Sequence, residues 1–65
     1  MNPIEEALNK AFAIQVATLF TVLHTAVSAT GSDDATRRAA QARFKKGLEL
    51  ANETLALARE AAGIS

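Results

Sequence analysis

Residues 11–32 read AFAIQVATLFTVLHTAVSATGS, and no charged side chain interrupts the chain between Lys10 and Asp33. Leu8, Phe12, Val16, Leu19, Leu23 and Ala26 follow helical spacing along one seam, while Ile14, Ala17, Phe20, Val22 and Val27 spread apolar surface around most of the remainder. A helix apolar on nearly every side belongs at the centre of a larger bundle or in a membrane. Deciding between the two sets the expectation for the whole chain.

Length permits a membrane span, because the uncharged stretch of 22 residues exceeds the roughly 20 that cross a hydrocarbon core. Composition argues the other way. Gln15, Thr18, Thr21, His24, Thr25 and Ser28 dilute the hydropathy, and no tryptophan or tyrosine marks a membrane interface. The flanking charges are mixed, with Glu5, Glu6 and Lys10 before the stretch and Asp33, Asp34, Arg37 and Arg38 after it, so no positive-inside bias sets an orientation. A secretory signal would start basic, and this chain starts acidic. The expectation is a soluble bundle helix, with a small single-span membrane protein through helix 1 as an alternative.

Working outward, the first helix has a clear beginning. Asn2 is a good N-cap, Pro3 suits the first helical position, and Glu5 can complete a capping box. Gly31 supplies the left-handed residue that ends a helix after Ala29 or Thr30. Helix 1 is thus expected over about residues 3–30, roughly 40 Å long. The turn falls at 31–32, where Ser32 or Asp33 can cap a second helix whose first turn is acidic. Helix 2 is expected over about 33–62, ending at Gly63 with Ile64 folding back in a Schellman motif. Two long helices joined by so short a connection lie antiparallel, and residues 1–65 read as one hairpin domain.

Helix 2 carries its own seam. Phe44, Leu48, Ala51, Leu55, Ala58 and Ala62 alternate four- and three-residue steps, as in a bundle. Large and small residues alternate along it, which lets helices approach closely. A second stripe of Leu50, Leu57 and Ala61 lies on a different side, and one neighbouring helix cannot cover both.

Size makes association the expected remedy. A chain of 65 residues buries only roughly 60% of its unfolded surface. Disulfides, a structural metal or oligomerisation are the usual supports. With no cysteine and a single histidine, oligomerisation is the support that fits. Lack of cysteine also fits the cytoplasm better than a small secreted domain. Seven basic and seven acidic residues cancel, which argues against a general polyanion binder.

No residue pattern commits the chain to a chemistry. His24 has no glutamate at the Glu-x-x-His spacing of di-iron bundles, so no metal site is expected. Ser28, Ser32 and Ser65 lack a readable base and orienting acid, and there is no glycine-rich phosphate loop. No enzyme activity and no cofactor are expected. Gln15, in or beside the helix 1 seam, either fixes register across a symmetric interface or keeps its amide in water. Ile14, Thr18, Thr21, Thr25 and Ser28 form a stripe of small neutral side chains whose hydroxyls can bond back along the helix. Such a stripe suits a partner surface or a weakly polar solvent face. Arg37, Arg38, Arg43, Lys45 and Lys46 are the one local charge bias, but they scatter around the helix. Arg38, Lys45 and Arg59 share an edge, beside which Glu49, Glu53 and Glu60 run, so ion pairs between neighbouring turns are the ordinary reading.

In length, mid-chain turn and small–large core layers, the layout resembles the small plasmid-encoded regulators of the Rop type. Those hairpins dimerise into a four-helix bundle and hold a pair of RNA loops. The resemblance implies a bundle, and an RNA-binding surface on the basic part of helix 2 through Arg38, Lys45 and Arg59. It is not a motif match, since helix 1 is nearly free of the cations an RNA-binding face needs.

Taken together, the sequence predicts an all-α antiparallel hairpin that associates into a four-helix or larger bundle, with itself or with another helical protein. Helix 1 is expected at the centre and the charged face of helix 2 outside. The expected function is a non-enzymatic interaction or oligomerisation module with a structural, adaptor or regulatory role. Its interface is expected to draw on Leu8, Phe12, Gln15, Val16, Leu19, Phe20, Leu23 and Val27 of helix 1, and on Phe44, Leu48, Leu50, Leu55 and Leu57 of helix 2. Rop-like RNA binding and a single membrane span are the alternatives.

Overall fold

A computed structural model describes residues 2–64 and contains two helices, α1 (Pro3–Ser28) and α2 (Asp34–Ala61), which pack against each other as a hairpin. Early residues of α1 meet late residues of α2, as in the contact of Glu5 with Arg59, so the helices run antiparallel. The Cα atoms fill a slab of 47 × 16 × 11 Å.

Each helix end is closed by local chemistry. Asn2 caps α1 through its side-chain oxygen, which accepts from the Ile4 N–H at 2.8 Å, with Pro3 at the first position. Glu5, offered by the sequence for a capping box, instead reaches across to Arg59 Nη1 at 3.3 Å and ties the open end of the hairpin together. At the far end α1 stops at Ser28, slightly before the expected boundary, because Ala29 is already extended (φ −64°, ψ 140°). A four-residue turn follows, closed by the Ser32 N–H donating to the Ala29 carbonyl at 3.1 Å. Gly31 holds φ +83° at its third position, as a type II turn requires. The chain therefore leaves α1 through a turn rather than through a left-handed cap.

Asp33, not Ser32, caps α2: its carboxylate accepts from the Thr36 N–H at 2.8 Å. These bonds to Thr36, backbone first and side chain second, hold the Asp33 carboxyl below its ordinary value of 3.8. The C-terminus of α2 is a Schellman motif. Ile64 N–H donates to the Arg59 carbonyl at 2.8 Å, Gly63 N–H to the Glu60 carbonyl at 3.1 Å, and Gly63 takes φ +76°.

Between the helices runs the seam the periodicity outlines. Leu8, Phe12, Val16, Leu19, Leu23 and Ala26 of α1 are half-buried, as are Phe44, Leu48, Ala51, Leu55 and Ala58 of α2. Ala62 is not part of it, since it is the exposed C-cap beyond the last helical turn. Two small residues complete the seam instead. Ala40, at 5% exposure, is the one buried side chain among the described residues. Gly47 lies under Leu19 so closely that a Cβ built on it would stand 2.5 Å from Leu19 Cδ2 and 3.4 Å from Cγ. A helix interior normally disfavours glycine by about 1 kcal/mol relative to alanine, and here the absent side chain is the space that Leu19 occupies.

Candidate interaction surface

The residues expected to meet a partner divide into two groups. Leu8, Phe12, Val16, Leu19, Leu23, Val27, Phe44, Leu48 and Leu55 are half-buried and face the space between α1 and α2. Gln15, Phe20, Leu50 and Leu57 point outward, with Phe20 61%, Leu50 54% and Leu57 59% exposed. Ile14 and Val22 are each 59% exposed as well. Apart from Gln15, periodicity identifies all of these as apolar helix positions. Only the pairing of the helices shows which ones the hairpin itself uses.

The two broad sides of the slab differ in chemistry. On one, a groove of about 470 Å³ is lined by Leu8, Ala11, Phe12 and Gln15 from α1 and by Gly47, Leu50, Ala51, Thr54, Leu55 and Ala58 from α2. No charged residue is among them. Leu57, seven positions after Leu50, continues the α2 rim of that side. Val22 and Arg43 border a smaller depression further along the same side, lined also by Ala26 and Ala40. On the other side, the cleft bordered by Leu23 and Val27 also takes in Asp34, Arg37, Arg38 and Gln41. Helical spacing from Arg38 carries Lys45, Asn52 and Arg59 along this same side.

No protein family model, curated protein or solved structure matches the chain.

The hydroxyls of α1 are satisfied within the helix. Thr18 donates to the Ile14 carbonyl at 3.0 Å, Thr21 to Ala17 at 3.1 Å and Thr25 to Thr21 at 2.9 Å. Ser28 Oγ lies 3.5 Å from His24 Nε2, and the His24 ring stacks on Phe20 with centroids 6.3 Å apart and planes 5° from parallel. Hydroxyls bonded in this way can leave water without losing a partner. The threonine stripe is thus compatible with an apolar neighbour, although it is polar by composition.

Of the three cations that define the basic edge, Arg59 is engaged with Glu5 in a part-buried pair, and Arg38 borders a cleft that includes Asp34. Among the described residues no ion pair links neighbouring turns of α2. The ion pairs expected there from spacing are replaced by solvated charges and by the one bridge between helices. His24 gathers with no carboxylates, and no cluster of three metal-ligating side chains occurs among the described residues.

Proposed function

We propose that the chain is a small non-enzymatic interaction module that acts as half of a helical bundle, with a structural, adaptor or regulatory role, and that further helices complete it. The observation that carries this reading is the surplus of surface. The hairpin exposes 4989 Å², whereas the scaling for compact folded proteins assigns roughly 4,000 Å² to a 6.8 kDa chain. Its radius of gyration is 15.0 Å, against about 11 Å for a compact chain of this length. One buried alanine is the whole of the fully excluded core among the described residues. Exposed leucine, isoleucine and phenylalanine side chains are each worth about 1.5–3 kcal/mol when removed from water, so association is the route by which this fold gains stability.

Light scattering coupled to gel filtration, in buffer without detergent, tests the reading. The expected result is a helical species heavier than one chain. A cooperatively melting monomer at micromolar concentration would refute it. A pull-down from the native cell then separates a homo-oligomer from a complex with a foreign helix.

A second reading is supported by a specific feature. α1 is long and apolar enough to cross a membrane and has no buried residue in the hairpin, and its threonine hydroxyls are already bonded. Insolubility without detergent, combined with full helicity in micelles, is the result that would favour a membrane role.

A further inference from the structure

We infer that the groove centred on Gln15, Gly47 and Leu50, whose lining carries no charge, is the surface against which a second copy of this hairpin docks. This rests on the association reading above and names both the face and its occupant.

Area is the first argument. The slab's broad side measures 47 × 16 Å, a footprint of about 750 Å², close to the ~800 Å² per partner of a standard protein interface. It is also of the size of the excess surface the lone hairpin exposes. A second copy laid on this side adds thickness without length. With a helix-layer spacing of about 10 Å the radius rises only from 15.0 Å to about 16 Å, while the value expected of a compact body rises from about 11 to about 14 Å.

Self-complementarity is the second. A two-fold contact uses the same patch on both partners, so the patch must supply both projections and hollows. Here the half-buried lining of the hollow includes the small residues Gly47, Ala51 and Ala58 beside Leu8, Phe12 and Leu55. The projections stand on its rim: Leu50 and, one heptad on, Leu57, both more than half exposed. Leucines of one copy have a trough to enter on the other.

Charge is the third. A carboxylate or ammonium buried without a partner costs several kcal/mol. The groove lining has no ionisable side chain, while the opposite cleft has Asp34, Arg37 and Arg38. The groove can be dried without burying a charge, and Arg43, the cation on the same side, borders the separate depression beyond it.

The test compares charge insertions on the two sides by sedimentation equilibrium. Leu50→Asp and Leu57→Asp are expected to weaken the dimer at least tenfold, and Phe20→Asp, on α1 away from the groove, to change it less than about threefold. Dissociation by Phe20→Asp with Leu50→Asp and Leu57→Asp harmless would overturn the assignment of the face while leaving association intact. A wild-type chain that is a folded monomer would overturn both. Because Leu50→Asp can also unfold the chain, a second measurement uses nitroxide labels. The chain has no cysteine, so Thr54→Cys and Asn52→Cys each take a single label, on the groove side and the charged side respectively. A water-soluble nickel relaxant is expected to reach the label at position 52 and to be excluded at 54. Equal access at both positions, or exclusion at 54 that requires detergent or lipid, would overturn the proposal.

Discussion

Gly47→Ala is expected to fall short as a stabilising substitution, and the reason is a single contact. In an exposed helix interior the exchange gains about 1 kcal/mol, because alanine loses less backbone entropy. At position 47 the new methyl would stand 2.5 Å from Leu19 Cδ2 and 3.2 Å from Cδ1. Leu19 must turn off its rotamer, at about 0.5–1.5 kcal/mol, or the helices must part, at about 1–3 kcal/mol as in other overpacked cores. The net change in the wild-type background therefore runs from about 0.5 kcal/mol stabilising, half the usual gain, when Leu19 turns easily, to about 2 kcal/mol destabilising when the helices part. Removing the obstacle restores the gain: in a Leu19→Ala background, Gly47→Ala should stabilise by the full ~1 kcal/mol. Urea denaturation followed by far-UV circular dichroism gives the four stabilities of the cycle, with a coupling of at least ~0.5 kcal/mol. All four chains are compared at the same protein concentration, because stability would depend on it under the proposed association. If Gly47→Ala stabilised equally in both backgrounds, Leu19 would not be lodged over Gly47 and the close approach of the helices would be wrong.

Asp33 links the α2 cap to acid. Its folded pKa lies below the unfolded value of 3.8, so the unfolded chain takes up the proton first, and the cap's contribution is present above that value and lost as pH falls through the folded pKa. Asp33→Asn keeps an acceptor for the Thr36 N–H and should flatten this part of the helicity loss below pH 4. An unchanged acid limb would show the cap plays no part in it. The Glu5–Arg59 pair is about a quarter to a third exposed, so a double-mutant cycle should give about 0.5 kcal/mol, falling in 1 M salt where the screening length is about 3 Å. Coupling that persists in salt would point to a contact drier than the one seen. Gln15 is exposed at the groove, and its amide must find a partner if a second copy covers it. Gln15→Leu should alter the size of the assembly or the cooperativity of its melting, and no change in either would remove any role in register.

Punctuation made the helix ends legible. Asn2–Pro3, Asp33 and Gly63–Ile64 each act through bonds to their immediate neighbours, and such bonds can be read from adjacent letters. The half-buried seam was legible for a similar reason, because four- and three-residue steps describe a stripe whatever lies opposite. Three features depend on distant partners and were not readable. Gly47 looks like a local cost until Leu19 is seen above it. Glu5 looks like a capping residue until Arg59, 54 positions away, draws it across the hairpin. Leu50 and Leu57 form a stripe as apolar as the seam, and spacing alone could not rank the two. Once Phe44, Leu48 and Leu55 take the inside, the other stripe is left outside.

The close packing of this hairpin and its exposed apolar flanks have one cause. Ala40, Gly47, Ala51 and Ala58 let α2 lie close to α1, but small side chains have little area to bury. Further large apolar residues lie on the flanks of the seam, where Val22, Leu50 and Leu57 remain more than half exposed. A seam of leucines would have enclosed more surface per chain at a wider helix separation and left less for a partner. The small–large alternation thus moves hydrophobic area from the inside of the hairpin to its broad side, and Thr18, Thr21 and Thr25, bonded to their own helix, remove a polar obstacle to covering α1. A chain built in this way spends little of its apolar surface on its own fold and keeps the rest available for association.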